Sequence, residues 1–252
     1  MAAEPEFFDA EGTALLRVQA GVTLERIEAA AAARGLYFAP NPTEPTATIG
    51  GMYATGASGM SSLACGELAR FVRRLRWVTP QGEPWDICSG AFRFDETGCT
   101  MPDGRRLPLG GYAGCDLIEF LSGSEGRWGI AAEMELTLLS LPKECWGVAY
   151  FFPGSESLLR FAAGLAAWQK ANAPLLFAAE YYNEPSLALL GAAQNTAGQS
   201  LPGFPEGARA ALYVELRGDE GTELEQALEE HLALFAKAGG DDAHTWAESG
   251  PG

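Results

Sequence analysis

Two glycine-rich stretches hold the residues whose types and spacing could bind a ligand. The first, TIGGMYATGASGMSSLACG, covers residues 48–66. Glycines permit backbone conformations closed to other residues and let the main chain approach a ligand, with N–H groups exposed to an anion. The stretch has neither the G-x-G-x-x-G spacing nor the phosphate loop with its Lys and Ser/Thr. From the residues alone, a cofactor-binding loop and a flexible connector are both open.

The second stretch, LSGSEGRWGIAAEMELTLL, covers residues 121–139 and leads into a long apolar strand. It sets a charged residue, Glu125, between glycines at the entry to that strand. A tight turn with a solvated glutamate is the alternative to a ligand-binding turn. Each stretch by itself is therefore ambiguous.

The remaining polar residues show no pattern typical of a catalytic or metal site. No Ser–His–Asp, paired-carboxylate or metal-ligand arrangement stands out, so we assign no catalytic residue and no metal. His231 lies in an acidic helical stretch and His244 near the end of the sequence, and we predict both to be surface residues. The five cysteines have no C-x-x-C spacing, which predicts free thiols in a reducing compartment.

Charge and hydropathy restrict the partners and the location. A net charge of −16 over 252 residues opposes binding to nucleic acid. The basic run at residues 70–76 interleaves arginines with apolar residues, which predicts the solvated flank of a strand or short helix. No window reaches the roughly 18 uninterrupted apolar residues of a membrane-spanning helix, and the acidic start lacks the features of a secretory signal. We therefore expect a cytoplasmic protein without a membrane span.

The elements that must position the two stretches alternate between strands and helices. Residues 14–21 read as a strand, and a helix follows between an N-cap at Thr23 and a terminating Gly35. Two further strands flank a turn at residues 80–82, and residues 89–113 form an irregular loop. A short helix, a glycine-rich turn and a long strand complete this half of the chain.

A second pattern begins after a boundary near Pro142. Three strands alternate with three helices, which predicts a small α+β domain with one face of an antiparallel sheet covered. The last residues, 241–252, are either a frayed end or the start of a further element.

Taken together, the motifs become specific because of their order. A helix start A-G-V-T-L-x-x-I precedes P-x-P, T-I-G-G, A-T-x-A-x-G and finally G-S-E-G-x-x-G-I ahead of a long strand. This series resembles the flavin-binding domain of the vanillyl-alcohol oxidase and p-cresol methylhydroxylase superfamily. Within it, the chain resembles the glycolate oxidase and D-lactate dehydrogenase (FAD-linked oxidase) family. The resemblance covers nearly the whole chain and is strongest over residues 18–82 and 114–142.

The resemblance implies a two-domain α+β fold and FAD as the cofactor. Residues 1–142 would be the second subdomain of a p-cresol methylhydroxylase-type FAD-binding domain, and residues 143–252 a partial substrate (cap) domain with an antiparallel sheet. In the family, the P-x-P and T-I-G-G segments run beside the isoalloxazine and the pyrophosphate. The positions of this sequence that match the family's cofactor-binding segments are Pro40, Pro42, Thr48, Ile49, Gly50, Gly51, Thr55, Gly56, Ser58, Gly59, Gly66, Glu125, Gly129 and Ile130.

The sequence departs from the family pattern in two ways. Gly56 stands where the family has Asn and Ser58 where it has Gly, so that one side-chain hydrogen bond is lost. The family's R-G-x-G-T pyrophosphate loop and its H-A-G-D-G-N-x-H segment are absent, so the resemblance implies a chain shortened at both ends. We therefore expect another subunit or chain segment to supply that loop and the catalytic histidines.

The resemblance implies an FAD-dependent oxidoreductase, as a subunit or a fragment, that oxidises a 2-hydroxy acid such as glycolate or D-lactate to the 2-oxo acid. In such enzymes the flavin accepts the hydride while the protein orients the reactants. The alternative is a non-catalytic structural or regulatory subunit that keeps the fold but binds FAD weakly or not at all. A third possibility is an α+β protein whose glycine-rich loops only make turns.

Overall fold

The computed structural model describes residues 4–172, 175–193, 203–240 and 245–251. The chain divides into two compact units, residues 1–141 and residues 142–252. Each unit has its own antiparallel sheet with helices packed on it. The α+β fold class predicted from the sequence is thus confirmed.

The first unit is built on a five-stranded sheet in the order β1-β2-β8-β4-β5, in which every neighbouring pair is antiparallel. Two short 3₁₀ turns, at residues 68–71 and 110–112, connect its elements. In chain order the elements are β1 (Glu6–Ala10), β2 (Thr13–Gln19), α1 (Leu24–Ala32), β3 (Leu36–Tyr37), α2 (Ile49–Thr55), α3 (Ser62–Cys65), β4 (Val72–Val78), β5 (Pro84–Cys88), β6 (Cys99–Thr100), β7 (Arg106–Leu107), α4 (Leu117–Leu121), β8 (Ile130–Thr137) and β9 (Leu139–Ser140).

Strand β4 shows how the basic run fits into the sheet. Leu75 and Trp77 point into the core, while Arg73 and Arg76 are exposed, as the interleaved pattern predicts. Arg74 pairs with the Asp86 carboxylate on the neighbouring strand β5. The basic run is therefore the solvated side of a strand, as expected from the sequence.

The core of the first unit fixes the short helices that follow the glycine-rich stretches. Ile49, Met52 and Tyr53 of α2 are buried in one cluster with the apolar residues of α4 and β8. The Tyr53 hydroxyl donates a hydrogen bond of 2.5 Å to the Ile118 carbonyl of α4. Burial, with a smaller contribution from Asp116, raises the pKa of Tyr53 well above its usual range, so the phenol stays a neutral donor.

The second unit is a four-stranded antiparallel sheet in the order β11-β12-β10-β13. Helices α5 and α7 cover one face, where aromatic side chains such as Tyr150 and Phe235 pack. Leu187 of α6 packs on the opposite face against Phe151 and Ala211, so the prediction of a single covered face is incomplete. The elements are β10 (Glu144–Phe152), α5 (Ser155–Asn172), β11 (Leu176–Asn183), α6 (Glu184–Ala193), β12 (Ala210–Gly218), α7 (Gly221–Lys237) and β13 (Thr245–Pro251).

The end of the chain forms an edge strand. Strand β13 pairs with β10 in an antiparallel register that joins Tyr150 with Thr245 and Glu144 with Pro251. Of the two possibilities left open by the sequence, the structure thus selects a further element. Within the described ranges, no helix combines the length and the apolar character needed to cross a membrane.

The prediction for His231 is wrong. Its side chain is fully buried in α7, with an exposed fraction of 0%, and its ring lies 4.4 Å from that of Trp168. The polar neighbours of His231 in sequence suggested a surface helix, but its own position falls on the helix face that packs against the sheet. His244 lies outside the described residues.

Candidate functional site

The fold joins the two glycine-rich stretches, which are about 70 positions apart in the chain. The Gly123 N–H donates to the Tyr53 carbonyl at 3.0 Å, and the Glu125 N–H donates to the Ala54 carbonyl at 2.9 Å. The G-S-E-G turn is therefore bound to the end of α2 by direct main-chain hydrogen bonds. Neither stretch is a free connector, because each is the other's hydrogen-bonding partner.

Helix α2 begins and ends at residues suited to those positions. Thr48 is its N-cap, and the Thr48 hydroxyl accepts a hydrogen bond from the Gly51 N–H at 3.3 Å. Gly56 ends the helix in the left-handed conformation, with φ 62° and ψ 41°. This helix was not expected from the sequence. The spacing of a capping Thr and a terminating Gly around I-G-G-M-Y-A-T was the signal that could have shown it.

The first N–H groups of α2 are already used by the protein. The Ile49 N–H donates to the Val22 carbonyl and the Gly50 N–H to the Ala20 carbonyl, both at 2.8 Å. A Cβ at Gly50 would lie 2.6 Å from the Ala20 Cβ, so glycine is needed there for packing. The T-I-G-G segment therefore does not present these two N–H groups to an anion.

The G-S-E-G turn holds its backbone in conformations that few residues adopt. Glu125 has a positive φ of 50°, which is uncommon for a residue with a side chain. At Gly129, with φ 134°, a Cβ would lie 2.2 Å from the Val78 carbonyl oxygen and 2.5 Å from the Trp77 Nε1. The Trp77 Nε1 in turn donates to the Trp128 carbonyl at 3.0 Å. Gly129 is therefore fixed by close contact, and the turn is rigid where it enters β8.

The two departures from the family pattern leave the main chain intact. Gly56 adopts the left-handed conformation that Asn also tolerates, and a Cβ there would lie 3.3 Å from the Gly123 Cα. Ser58 is exposed and has no positive φ, so its position does not require glycine. Gly56 lacks the hydrogen-bonding amide that Asn would supply. The main-chain hydrogen bonds between the end of α2 and the G-S-E-G turn are nevertheless present.

The fourteen residues matched by the family motifs differ in exposure. Gly51, Thr55, Ser58, Glu125 and Ile130 are exposed. Ile130 is the most notable of these, since an apolar side chain at the first position of β8 is 63% exposed. The partly buried positions are Pro42, Thr48, Gly50, Gly56, Gly59 and Gly66, and the buried ones are Pro40, Ile49 and Gly129.

A groove of about 400 Å³ lies next to this surface. Its lining includes Ser58, Gly66, Glu119 and Arg70, and a second groove of about 310 Å³ also has Arg70 and Glu119 in its lining. The Arg70 side chain lies across Gly66, where a Cβ would come within 2.8 Å of the Arg70 Cδ. Within the part of the chain that the structure describes, the Arg70 guanidinium has no ion-pair partner. From the sequence, Arg70 was expected only on a solvated flank, and its place beside Gly66 was missed.

Apolar surface, uncovered main chain and a guanidinium are all present among these residues, and Glu67 and Glu119 line the groove together with Arg70. Exposed Ile130 offers an apolar contact, and Gly51 leaves the main chain uncovered by a side chain. The Arg70 guanidinium is suited to a phosphate or carboxylate. The described residues contain no group of three or more His, Cys, Asp or Glu side chains that could hold a metal ion. Cys88, Cys99, Cys115 and Cys145 are free thiols in the described part of the chain.

Part of the first unit is similar to a known family. Residues 7–87 match the family described as FAD binding domain. D-lactate dehydrogenase of Archaeoglobus fulgidus is 30% identical over 58% of this chain and 29% of its own length. D-2-hydroxyglutarate dehydrogenase of Pseudomonas putida is 29% identical over 86% of this chain and 25% of its own length. The glycolate oxidase subunit GlcD of Escherichia coli is 28% identical over 90% of this chain and 40% of its own length.

A solved structure of alkyldihydroxyacetonephosphate synthase has the same fold, with a TM-score of 0.66 at 17% identity over 99% of this chain and 44% of that one. The chain thus spans less than half the length of each of these relatives. The matched segment includes the T-I-G-G stretch and strands β1 to β5. Residues 7–87 therefore resemble an FAD binding domain, which indicates FAD as the cofactor, and the chain is similar to parts of D-lactate dehydrogenase, D-2-hydroxyglutarate dehydrogenase and a glycolate oxidase subunit.

Proposed function

We propose that this chain is the part of an FAD-dependent oxidoreductase that holds one side of the flavin cofactor and begins the substrate domain. The reaction would be the oxidation of a 2-hydroxy acid, such as glycolate or D-lactate, to the 2-oxo acid. The observation that carries the proposal is the direct hydrogen bonding of the α2 end to the G-S-E-G turn, at Tyr53 and Ala54. The names of the relatives supply the substrate class.

In this proposal residues 1–142 form the FAD-binding domain and residues 143–252 a partial cap domain. The exposed members of the fourteen matched positions would contact the cofactor, whereas Pro40, Ile49 and Gly129 would act by shaping the backbone. Arg70 would hold an anionic group of the cofactor or substrate from the groove beside Gly66.

When bound, the flavin supplies the hydride-accepting chemistry. The residues of this chain bind and orient: Ile130 gives an apolar contact, and the turn at Glu125 keeps its backbone fixed. Another subunit or chain segment would supply the pyrophosphate loop and the catalytic histidines, and the E. coli relative is itself named as a subunit. The free cysteines support a cytoplasmic location.

Titration with FAD tests the cofactor site. FAD at about 100 times its Kd should raise the stability of the folded chain by about 2.7 kcal/mol through mass action, seen as a higher melting temperature. Gly51→Val places a side chain on the exposed α2 surface and should weaken FAD binding while the chain stays folded, because the one atom close to the new Cβ is the Thr48 side-chain oxygen at 3.1 Å. Gly111→Val is the matched control, because Gly111 is exposed and a Cβ there has no neighbour within 4 Å.

The results distinguish an FAD-dependent 2-hydroxy-acid oxidoreductase from a non-catalytic subunit. Equal FAD affinity of a folded Gly51→Val variant and the Gly111→Val control would place the cofactor elsewhere. A chain that gains neither flavin absorbance nor thermal stability would be the non-catalytic subunit instead. The FAD-loaded protein is then mixed anaerobically with glycolate, D-lactate or D-2-hydroxyglutarate. Bleaching of the visible flavin band supports the 2-hydroxy-acid assignment, and no bleaching with any of them contradicts it.

A further inference from the structure

Helix α4 leads directly into the G-S-E-G turn, and its five residues are too few to hold it in place. Helices this short are not stable by themselves, so the position of α4 depends on contacts with the rest of the protein. Asp116 caps its start and accepts from the Ile118 N–H at 2.8 Å. At its end, the extended backbone of Ser122 leads straight to Gly123. Whatever fixes α4 therefore also fixes the point at which the turn begins.

One buried residue, Tyr53 of α2, bonds both to α4 and to the segment that follows it. The Tyr53 hydroxyl donates to the Ile118 carbonyl at 2.5 Å, and the Tyr53 carbonyl accepts from the Gly123 N–H at 3.0 Å. The Ser122 Oγ is a second, longer donor to the same carbonyl, at 3.4 Å. The side chain and the main chain of a single residue thus set the distance between α4 and the first residue of the turn.

The Tyr53 side chain is itself held by its surroundings. It has an exposed fraction of 0%, and its ring meets that of Trp77 edge-on, with centroids 6.2 Å apart and planes at 70°. Trp77 donates to the Trp128 carbonyl near the far end of the turn. Two packed aromatic residues therefore hold the turn from both sides, Tyr53 at Gly123 and Trp77 at Trp128.

Burial prevents Tyr53 from contacting a ligand, so any effect on a ligand must pass through the turn. Glu125 lies in that turn and is exposed, and its N–H is bound to the Ala54 carbonyl, next to Tyr53 in the chain. A surface that is already ordered binds a ligand more tightly, because binding then requires less loss of conformational freedom. A residue that orders the turn should thus raise the affinity for whatever the turn contacts.

We propose that Tyr53 is a positioning residue, whose hydroxyl holds the G-S-E-G turn, through Ile118 and α4, in the conformation that receives FAD. The inference rests on the proposed function, which places the exposed residues of the turn against the cofactor. Tyr53 is not one of the fourteen matched positions, and it acts on the cofactor only through the turn.

Tyr53→Phe tests the proposal, because it removes the hydroxyl and keeps the ring beside Trp77. Amide hydrogen exchange of the FAD-free chain reports on the turn directly. Exchange at Gly123 and Glu125 should become about fivefold faster, the factor that corresponds to the loss of one hydrogen bond. The Kd for FAD, measured by titration of the flavin fluorescence, should rise by about the same factor.

Ile87→Val is the matched control. Ile87 is fully buried in the same core, on strand β5, and its side chain has no polar atom that could bond to the turn. The loss of one buried methylene should lower the overall stability about as much as the loss of one hydrogen bond does. The urea midpoint of this variant should fall as that of Tyr53→Phe does, while its exchange at Gly123 and Glu125 and its Kd for FAD should remain those of the wild type.

Circular dichroism confirms that each variant is folded before these measurements. Unchanged exchange at both amides of Tyr53→Phe would overturn the proposal, and so would faster exchange with an unchanged Kd for FAD. Equal changes in Tyr53→Phe and Ile87→Val would also overturn it, because the effect would then come from overall stability. In each of these cases FAD binding by the wild type leaves the proposed function intact, whereas a wild type that binds no FAD would contradict the proposed function and this inference together.

Discussion

The two units of this protein specify their structures by different means. In the first unit, glycines let segments of main chain approach one another: a Cβ at Gly59 would lie 2.2 Å from the Asn41 carbonyl oxygen. In the second unit, the sheet and helices α5 and α7 are held by aromatic rings, with Phe161 and Phe235 at 5.7 Å between centroids. Glycines of the first unit thus let main chain pack on main chain, whereas glycines of the second unit, such as Gly147 and Gly240, make room for aromatic side chains.

This difference also explains why sequence motifs identify one unit better than the other. A glycine required by a 2.2 Å approach cannot be replaced, so its position in the sequence is informative. A packed ring can be exchanged for another apolar residue with a smaller loss. The matched family segment accordingly lies in the first unit, at residues 7–87.

The largest expected effect comes from replacing Gly129. Gly129→Val forces a Cβ onto the Val78 carbonyl oxygen in a strained backbone conformation, and should cost about 4 kcal/mol or more of unfolding free energy. Gly126→Val is the matched control: it also has a positive φ, but nothing lies closer than 4.0 Å to its Cβ. Its cost should be about 1–3 kcal/mol, from backbone strain alone. Urea unfolding measures both, and equal losses would contradict the importance of close main-chain approach in the first unit.

A second prediction concerns the buried His231 of the second unit. Burial lowers the pKa of His231 to about 4, against a small opposing effect of Glu230. In the unfolded chain this histidine has an ordinary pKa of about 6.5. Between about pH 6.5 and pH 4 the unfolded chain therefore binds the proton more tightly than the folded chain does. With respect to this group, the free energy of unfolding is highest above about pH 6.5, where the imidazole is neutral in both states, and it falls as the pH falls towards 4, by up to ~1.4 kcal/mol per pH unit.

His231→Phe keeps a ring beside Trp168 and removes two buried nitrogens that lack partners among the described residues. The variant should be more stable than the wild type at pH 8, by about 1 kcal/mol or more, and the difference should widen as the pH falls to 5. Thermal unfolding across this pH range measures the difference between the two proteins, so that the titration of shared carboxylates cancels. A difference that does not change with pH would show that His231 is not neutral in the folded protein.

The smallest expected effect tests the cap of α2. Thr48→Ala removes the hydroxyl that accepts from the Gly51 N–H, and should cost about 1 kcal/mol. Thr48→Ser keeps a hydroxyl at the same position and should restore most of the loss. Chemical unfolding and FAD affinity are measured together. If the alanine variant loses FAD affinity and the serine variant regains it, the cap also supports the cofactor site. Equal stability of all three proteins would show that the Thr48 hydroxyl does not stabilise α2.

Local chemistry made much of the first unit predictable. The turn at residues 80–82 and the interleaved arginines of β4 are short-range patterns, and both β4 and β5 were expected from them. Helix α2 was missed because its seven residues contain two glycines, which intrinsic propensity disfavours. Its stability comes instead from the burial of Ile49, Met52 and Tyr53. The burial of His231 was not predicted, because the charges of the neighbouring residues do not indicate which face of α7 packs against the sheet.

The α+β class and the resemblance to FAD-binding domains could be read from the sequence, because glycine placement, capping residues and hydrophobic periodicity act over a few residues. Only the tertiary structure decided that the G-S-E-G turn would be bound to the end of α2, and that the Tyr53 hydroxyl would reach α4. These contacts depend on β8 lying between β2 and β4, an arrangement set by strand pairings across more than 50 positions. Such pairings follow from the packing of the whole core, which no local pattern encodes.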